Sequence, residues 1–203
     1  MIEKQTLTRG DLLGLRAEGQ FVLGAGFFNE VHVVAGNVVV KVAKPYGPLQ
    51  QPLSWLRRNR KEHEGATSYL RVPATYHVRM KRKGDQPVSV LLQSRLHGRL
   101  LSQVPAEELS QPPLRAELVR TIQALERCRR QNGWLPDVIG GPPRWGMHDL
   151  GQSNNLFVTD DGEIWLIDPG ALFLWFSRRN LIGLLYTSVL LWSGRRMLRR
   201  KAV

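Results

Sequence analysis

Asn155 and Asp168 stand at the two ends of the stretch NNLFVTDDGEIWLIDPG, residues 154–170. Leu156, Phe157 and Val158 form one apolar arm, and Ile164, Trp165, Leu166 and Ile167 the other. Asp160, Asp161 and Gly162 lie between them. An Asp-Gly pair between apolar runs is a strong hairpin signal. A hairpin brings its ends together, so the Asn155 amide and the Asp168 carboxylate are expected side by side as two oxygen ligands. That pair suits a hard cation such as magnesium, which takes one or two carboxylates and completes its shell with phosphate and water. A polar strand end closed by a turn is the other reading of the same residues.

A second group lies near the start. GAGFFNEV places Gly24 and Gly26 between two strand-like segments, where the missing side chains let backbone approach a ligand. Lys41 follows inside VVVKVAKP. A lysine amid apolar residues loses hydration unless something compensates it. An edge strand with a solvated lysine is one solution. A lysine facing a cleft, holding phosphate oxygens and paired with a carboxylate of the following helix, is the other. Glu64 and Glu62 are the acidic residues of that helix.

The elements that must position these groups are legible in outline. The first half reads as strands: FVLGAGFF and EVHVVAGNVVVKVAKP, with a turn at Ala35-Gly36-Asn37, then ATYHVRMKR and VSVLLQSRL around Gly84-Asp85. A helix from about Trp55 to Leu70 is expected after a Ser54 cap, and Pro73 stops it. In the second half, Leu114, Leu118, Ile122, Leu125 and Cys128 recur at spacings of four and three, one face of a long helix that ends at Gly133. A loop rich in Gly and Pro leads to the hairpin, and an apolar, basic and helical tail begins at Ala171. Trp165 reads as core, and Trp134 and Trp145 as loop anchors. His32, His63, His77 and His97 show no metal-ligand spacing and read as surface or structural.

Composition bounds the partners. The chain of 203 residues carries 29 Lys plus Arg against 17 Asp plus Glu, a net charge of +12 that favours anionic partners. A nucleotide, a phospholipid headgroup and lipopolysaccharide all fit; nucleic acid is not expected. Cys128 is the single cysteine, so no intrachain disulfide and no four-cysteine zinc site can form, which fits a reducing, cytoplasmic setting. MIEKQTLTRGDLLGLRAEG lacks the apolar core of a signal peptide. The segment Leu181 to Trp192 is too short to span a bilayer.

The order of these pieces resembles the protein-kinase-like fold: a glycine loop, a strand lysine, a helix glutamate, a hinge, a catalytic loop and a metal-binding Asp before a Gly. Gly24 and Gly26 match the first two loop glycines, Asn29 stands at the third, and Val31 matches the valine after it. Lys41 matches the strand lysine and Glu64, or Glu62, the helix glutamate. LLQSRLHGRLL resembles the hinge, and Asp168-Pro169-Gly170 stands for Asp-Phe-Gly. The resemblance covers about residues 20 to 170. It implies an α+β fold of two lobes in a single domain, 1–203. An antiparallel β lobe would span about 1–93 and a hinge about 94–98. A reduced, mostly helical lobe with a basic terminal helix would span about 99–203.

The catalytic loop departs from the pattern. MHDLGQSNN offers His148-Asp149 where the family has His, any residue, Asp. Asn154 follows Asp149 by the family's five residues, whereas Asn155 precedes Asp168 by its thirteen. The hairpin register favours Asn155 as the metal ligand, with Asn154 the alternative. Asp149 then acts as the base or orienter of an acceptor hydroxyl, or caps a turn; Asp137 in LPDVIGG is the second candidate. Gly151 replaces the usual loop lysine, as in aminoglycoside-, choline- and lipopolysaccharide-type kinases. With only 33 residues after Gly170, the chain looks like the small bacterial kinase-like proteins. Among these are lipopolysaccharide-core sugar kinases and the small kinase-like proteins of a bacterial PhoP regulon.

The implied function is an ATP- and magnesium-dependent phosphotransferase acting on a hydroxyl of a sugar, a lipopolysaccharide-type acceptor or a protein. A pseudokinase acting as a binding or regulatory module is the alternative. The tail adds seven basic residues from Ala171 to Val203 and no acidic one. That composition allows peripheral contact with the inner face of an anionic membrane.

Overall fold

In the computed structural model, the described residues are 21–25, 29–34, 38–43, 63–81, 87–140, 149–168 and 181–199. The protein is mixed α and β, with two antiparallel sheets and a few helices. Contacts divide the chain into two compact units, residues 1–46 with 74–95 and residues 47–73 with 96–203.

The first unit is a five-stranded sheet of β1 (Phe21–Ala25), β2 (Asn29–Val34), β3 (Val38–Ala43), β4 (Thr75–Lys81) and β5 (Pro87–Ser94), in the order β1-β2-β3-β5-β4. Every pairing is antiparallel. Val34 faces Val38 across the first expected hairpin and Lys81 faces Pro87 across the second. The turn residues themselves, 35–37 and 84–85, lie outside the described residues. β3 is the middle strand. It reads as a continuous apolar run because a central strand is covered on both sides. Val39, Val40 and Lys41 are successive residues and all are buried.

The second unit is built on a three-stranded sheet, β6 (Gly98–Leu100), β7 (Leu156–Thr159) and β8 (Ile164–Leu166), in that order. Two helices follow β6: α1 (Ala106–Leu109) and the long α2 (Pro112–Asn132). The last is α3 (Leu181–Arg199). The expected face of α2 is the observed one, since Leu114, Leu118, Ile122, Leu125 and Cys128 are all buried. Gly133 caps α2 in the left-handed region. Leu101, Leu135, Val138, Leu150, Leu166 and Leu190 complete the core against it.

Residues 95–97, within the expected hinge, join two strands: Ser94 ends β5 and Gly98 opens β6, which pairs with β7. Two features depart from the sequence reading. Residues 63–73 group with the second unit, not with the sheet that precedes them. Residues 63–67 are helical; Ala66 within them and Leu70 just beyond enter the second unit's core, and Arg71 O accepts from Leu166 N at 2.8 Å. Arg71 also pairs with the buried Glu117 of α2 at 2.5 Å. Trp165 is only half-buried, with Nε1 donating to Glu163 Oε2 at 3.0 Å, because Phe157 and Trp165 occupy the outer face of the β7–β8 pair.

Candidate functional site

The hairpin closes as its sequence requires. Leu156 pairs with Leu166 and Val158 with Ile164. The turn at Asp160-Asp161-Gly162 is held by Gly162 N donating to Thr159 O at 2.8 Å. One step beyond the last paired residues, Ile167 N donates to Asn155 O at 2.9 Å. Asn155 and Asp168 therefore flank the same end of the hairpin.

The loop after α2 is drawn onto this end. Ser153, fully buried, donates through Oγ to Val138 O and accepts from Leu156 N. Asn154 N donates to Ile139 O at 2.7 Å. Asn155 Nδ2 donates to Asp137 O at 2.7 Å. One polar tripeptide thus stitches residues 137–139 to the start of β7. The Asp137 side chain folds back on its own loop, its Oδ1 accepting from Ile139 N at 3.1 Å and Gly140 N at 3.0 Å.

Electrostatics single out Asp137. Burial, partly offset by the amide of Gly140 and reinforced by the charge of Asp168, lifts its carboxyl to about 6. The main chain of Asp137 is thus bonded to Asn155 at the hairpin end, and the charge of Asp168 is felt at its carboxyl. Tyr186 of α3 is half-buried nearby; burial and the charge of Asp137 push its hydroxyl up to about 12.

The other candidates have different settings. Asp149 caps the 3-10 turn Leu150–Gln152, its Oδ1 accepting from Gly151 N at 3.0 Å. Asn154 is exposed, and its Oδ1 accepts from Ser102 Oγ at 2.8 Å. In the first unit, Gly24 sits at a register shift between β1 and β2, and Lys41 is 7% exposed on β3. The edge-strand reading of Lys41 is thereby removed. Glu64 is exposed on the helical residues 63–67 of the second unit. Gly26, Glu62, His148, Trp145, Pro169 and Gly170 lie outside the described residues. Among the described residues no three His, Cys, Asp or Glu cluster as a metal-holding group. Two carboxylates with an asparagine, completed by phosphate oxygens, need no such cluster.

Sequence reasoning missed Gly140 and Ser153. Gly140 has φ +68°, and a Cβ there would lie 2.5 Å from Asn155 Oδ1. The glycine both adopts the left-handed turn and leaves room for the amide. The Gly-Gly pair after Ile139 was its only signal. Gly140→Ala should lower stability by roughly 2 kcal/mol. The expected fall in Tm is about 4–8 °C. A thermal melt of the variant that matches the wild type would show that the loop tolerates a side chain at this point.

Searched against protein-family models and against curated proteins, the chain matches none.

Proposed function

We propose that the protein is an ATP- and magnesium-dependent phosphotransferase acting on a hydroxyl, with its acceptor-activating centre at Asp137, Asn155 and Asp168. The observation that carries this reading is a carboxylate, Asp137, lifted to about 6 by burial and by the charge of Asp168, whose main chain is bonded to the buried Asn155 at the hairpin end. A carboxyl group whose proton affinity is raised by burial is a candidate base, and a neighbouring carboxylate is a candidate cation ligand.

In this reading Asp168 and the Asn155 amide oxygen hold the cation. Bound there with ATP, magnesium neutralises charge on the phosphoryl group in transfer. Asp137 Oδ1 is held by two backbone amides, which fixes the carboxylate plane. Its Oδ2 takes the proton of the acceptor hydroxyl as that oxygen bonds to the γ-phosphorus and the bond to ADP breaks. Asp137, rather than Asp149, is assigned this role because Asp149 already caps a turn. The resemblance to the kinase-like fold alone assigns Lys41, Gly24 and Gly26 to the nucleotide phosphates.

The capping role of Asp149 also favours a second reading, the pseudokinase, since the residue at the family's loop spacing is engaged structurally. Two measurements separate these. ATP binding by calorimetry should require Lys41 and strengthen with magnesium; a chain that ignores both nucleotide and cation would overturn the first reading. Release of ADP against a panel of sugar, lipid-linked sugar and protein hydroxyls should find at least one acceptor. Nucleotide binding with no turnover on any acceptor would establish the pseudokinase.

A further inference from the structure

The helix α3 has two faces of different character. Thr187, Leu190, Leu191, Ser193 and Gly194 are buried. Gly194 lies so close to the core that a Cβ would come within 2.9 Å of Leu150 and 3.2 Å of Ile122. Ser193 Oγ accepts from Leu150 N at 3.0 Å, and Arg129 donates to Ser188 Oγ at 2.7 Å. These contacts fix the rotation of the helix about its axis. What it presents outward is therefore determined by the fold.

That outward face holds Leu185, Val189, Trp192, Arg196 and Arg199. At 3.6 residues per turn their spacings of four, three, four and three place them within an arc of about 80°. Leu185 is 58% and Trp192 53% exposed, two of the three large apolar side chains most open to solvent among the described residues. The Arg196 guanidinium stacks 5.4 Å from the centre of the Trp192 ring. Arg195 is turned aside and bound to Glu126 at 2.7 Å, so it does not count toward this face. In sequence Arg200 and Lys201 come next, and no acidic residue occurs from Ala171 onward.

We propose that this face of α3 rests on the surface of a bilayer containing anionic lipid, with Leu185 and Trp192 at the headgroup boundary and Arg196 and Arg199 on lipid phosphates. Tryptophan prefers that boundary, where its ring is in hydrocarbon and its N–H is wet. A guanidinium stacked on the ring carries its charge to the same depth, and basic residues add attraction that anionic lipid supplies. Among the described residues no helix is long and apolar enough to cross a membrane, so the helix lies on the surface. Charge argues against a second copy as the occupant, because the chain carries +12 and this face is among its basic regions. A nucleic acid would set Leu185 and Val189 against phosphate and leave them without an apolar partner. The inference is independent of the phosphotransfer reading, and its test uses no nucleotide.

The test is co-sedimentation of the full chain with vesicles of phosphatidylcholine alone or mixed with phosphatidylglycerol, at low and high salt. Binding to the mixed vesicles should exceed that to the neutral ones by about tenfold or more at low salt, and fall at high salt. Arg196→Glu with Arg199→Glu should remove the preference for anionic lipid. Leu185→Ser with Trp192→Ser should weaken binding by about tenfold or more at unchanged charge. All four positions are solvent-facing, and unchanged circular dichroism will show that the variants fold. Lipids brominated on their acyl chains should quench part of the tryptophan emission, and Trp192→Phe should abolish that part. Equal binding to both vesicles, binding indifferent to either double variant, or quenching that persists in Trp192→Phe would each overturn the proposal. So would a dimer in solution that Leu185→Ser with Trp192→Ser dissociates.

Discussion

Asp168→Asn will abolish magnesium-dependent phosphoryl transfer and leave the protein folded. Asp168 follows the last residues of the β7–β8 pair and is only half-buried, so the change removes a charge without opening a cavity. Transfer of a phosphoryl group depends almost wholly on positioning and on neutralising charge, and the loss of the carboxylate proposed to hold the cation is expected to reduce turnover on the order of a thousandfold or more. The checks are the initial rate of ADP release at saturating magnesium and a thermal melt. Undiminished turnover would remove Asp168 from the mechanism, and no turnover in the wild type would move the protein to the pseudokinase reading.

Asp137→Asn is expected to lower turnover by about a hundredfold or more while making the protein more stable near neutral pH. The opposed signs follow from one observation. Burial first, and then the charge of Asp168, lift Asp137 to about 6 from an ordinary value of 3.8. Its proton is thus held more tightly in the folded chain than in the unfolded one. That contribution to stability is fully present below the unfolded value and is lost as pH rises from about 4 through about 6. At pH 7 the folded protein carries a buried carboxylate at a penalty of roughly 2–3 kcal/mol. Asparagine keeps an oxygen for the amides of Ile139 and Gly140 and removes the penalty. Denaturant titrations should show the variant ahead at pH 7 and level with the wild type near pH 4. Turnover of the wild type should rise with pH through the same range, as the base loses its proton. A variant with normal turnover would return the role to Asp149. Asp149→Asn, which can still cap the 3-10 turn, should keep most of the activity.

Much of the scaffold was legible because its causes are local. An Asp-Gly turn between apolar arms specifies the β7–β8 hairpin, and with it the adjacency of Asn155 and Asp168. Spacings of four and three specify the buried face of α2, down to Cys128, and Gly133 specifies its end. Strand pairing across residues 35–37 and across 84–85 follows from alternation and turn residues. Each of these is set by interactions within about a dozen residues of chain, where periodicity and turn chemistry act directly.

The tertiary structure decided what no local pattern contains. Gly98 to Leu100 become strand only because β7, far along the chain, offers them an edge. Trp165 reads as core from its neighbours, yet the pairing of Leu156 with Leu166 puts it on the outer face. Motif spacing favoured Asp149 as the base; the fold gives Asp149 to a turn and brings Asp137, eighteen residues before Asn155, to the hairpin end through Ser153, Asn154 and Asn155. The exposure of Leu185 and Trp192 was likewise hidden, since an apolar segment reads as buried until its rotation is known. Gly194 sets that rotation by approaching Leu150 and Ile122. Burial, desolvation and the pairing of distant charges depend on which surfaces meet in space, and sequence neighbours do not fix that.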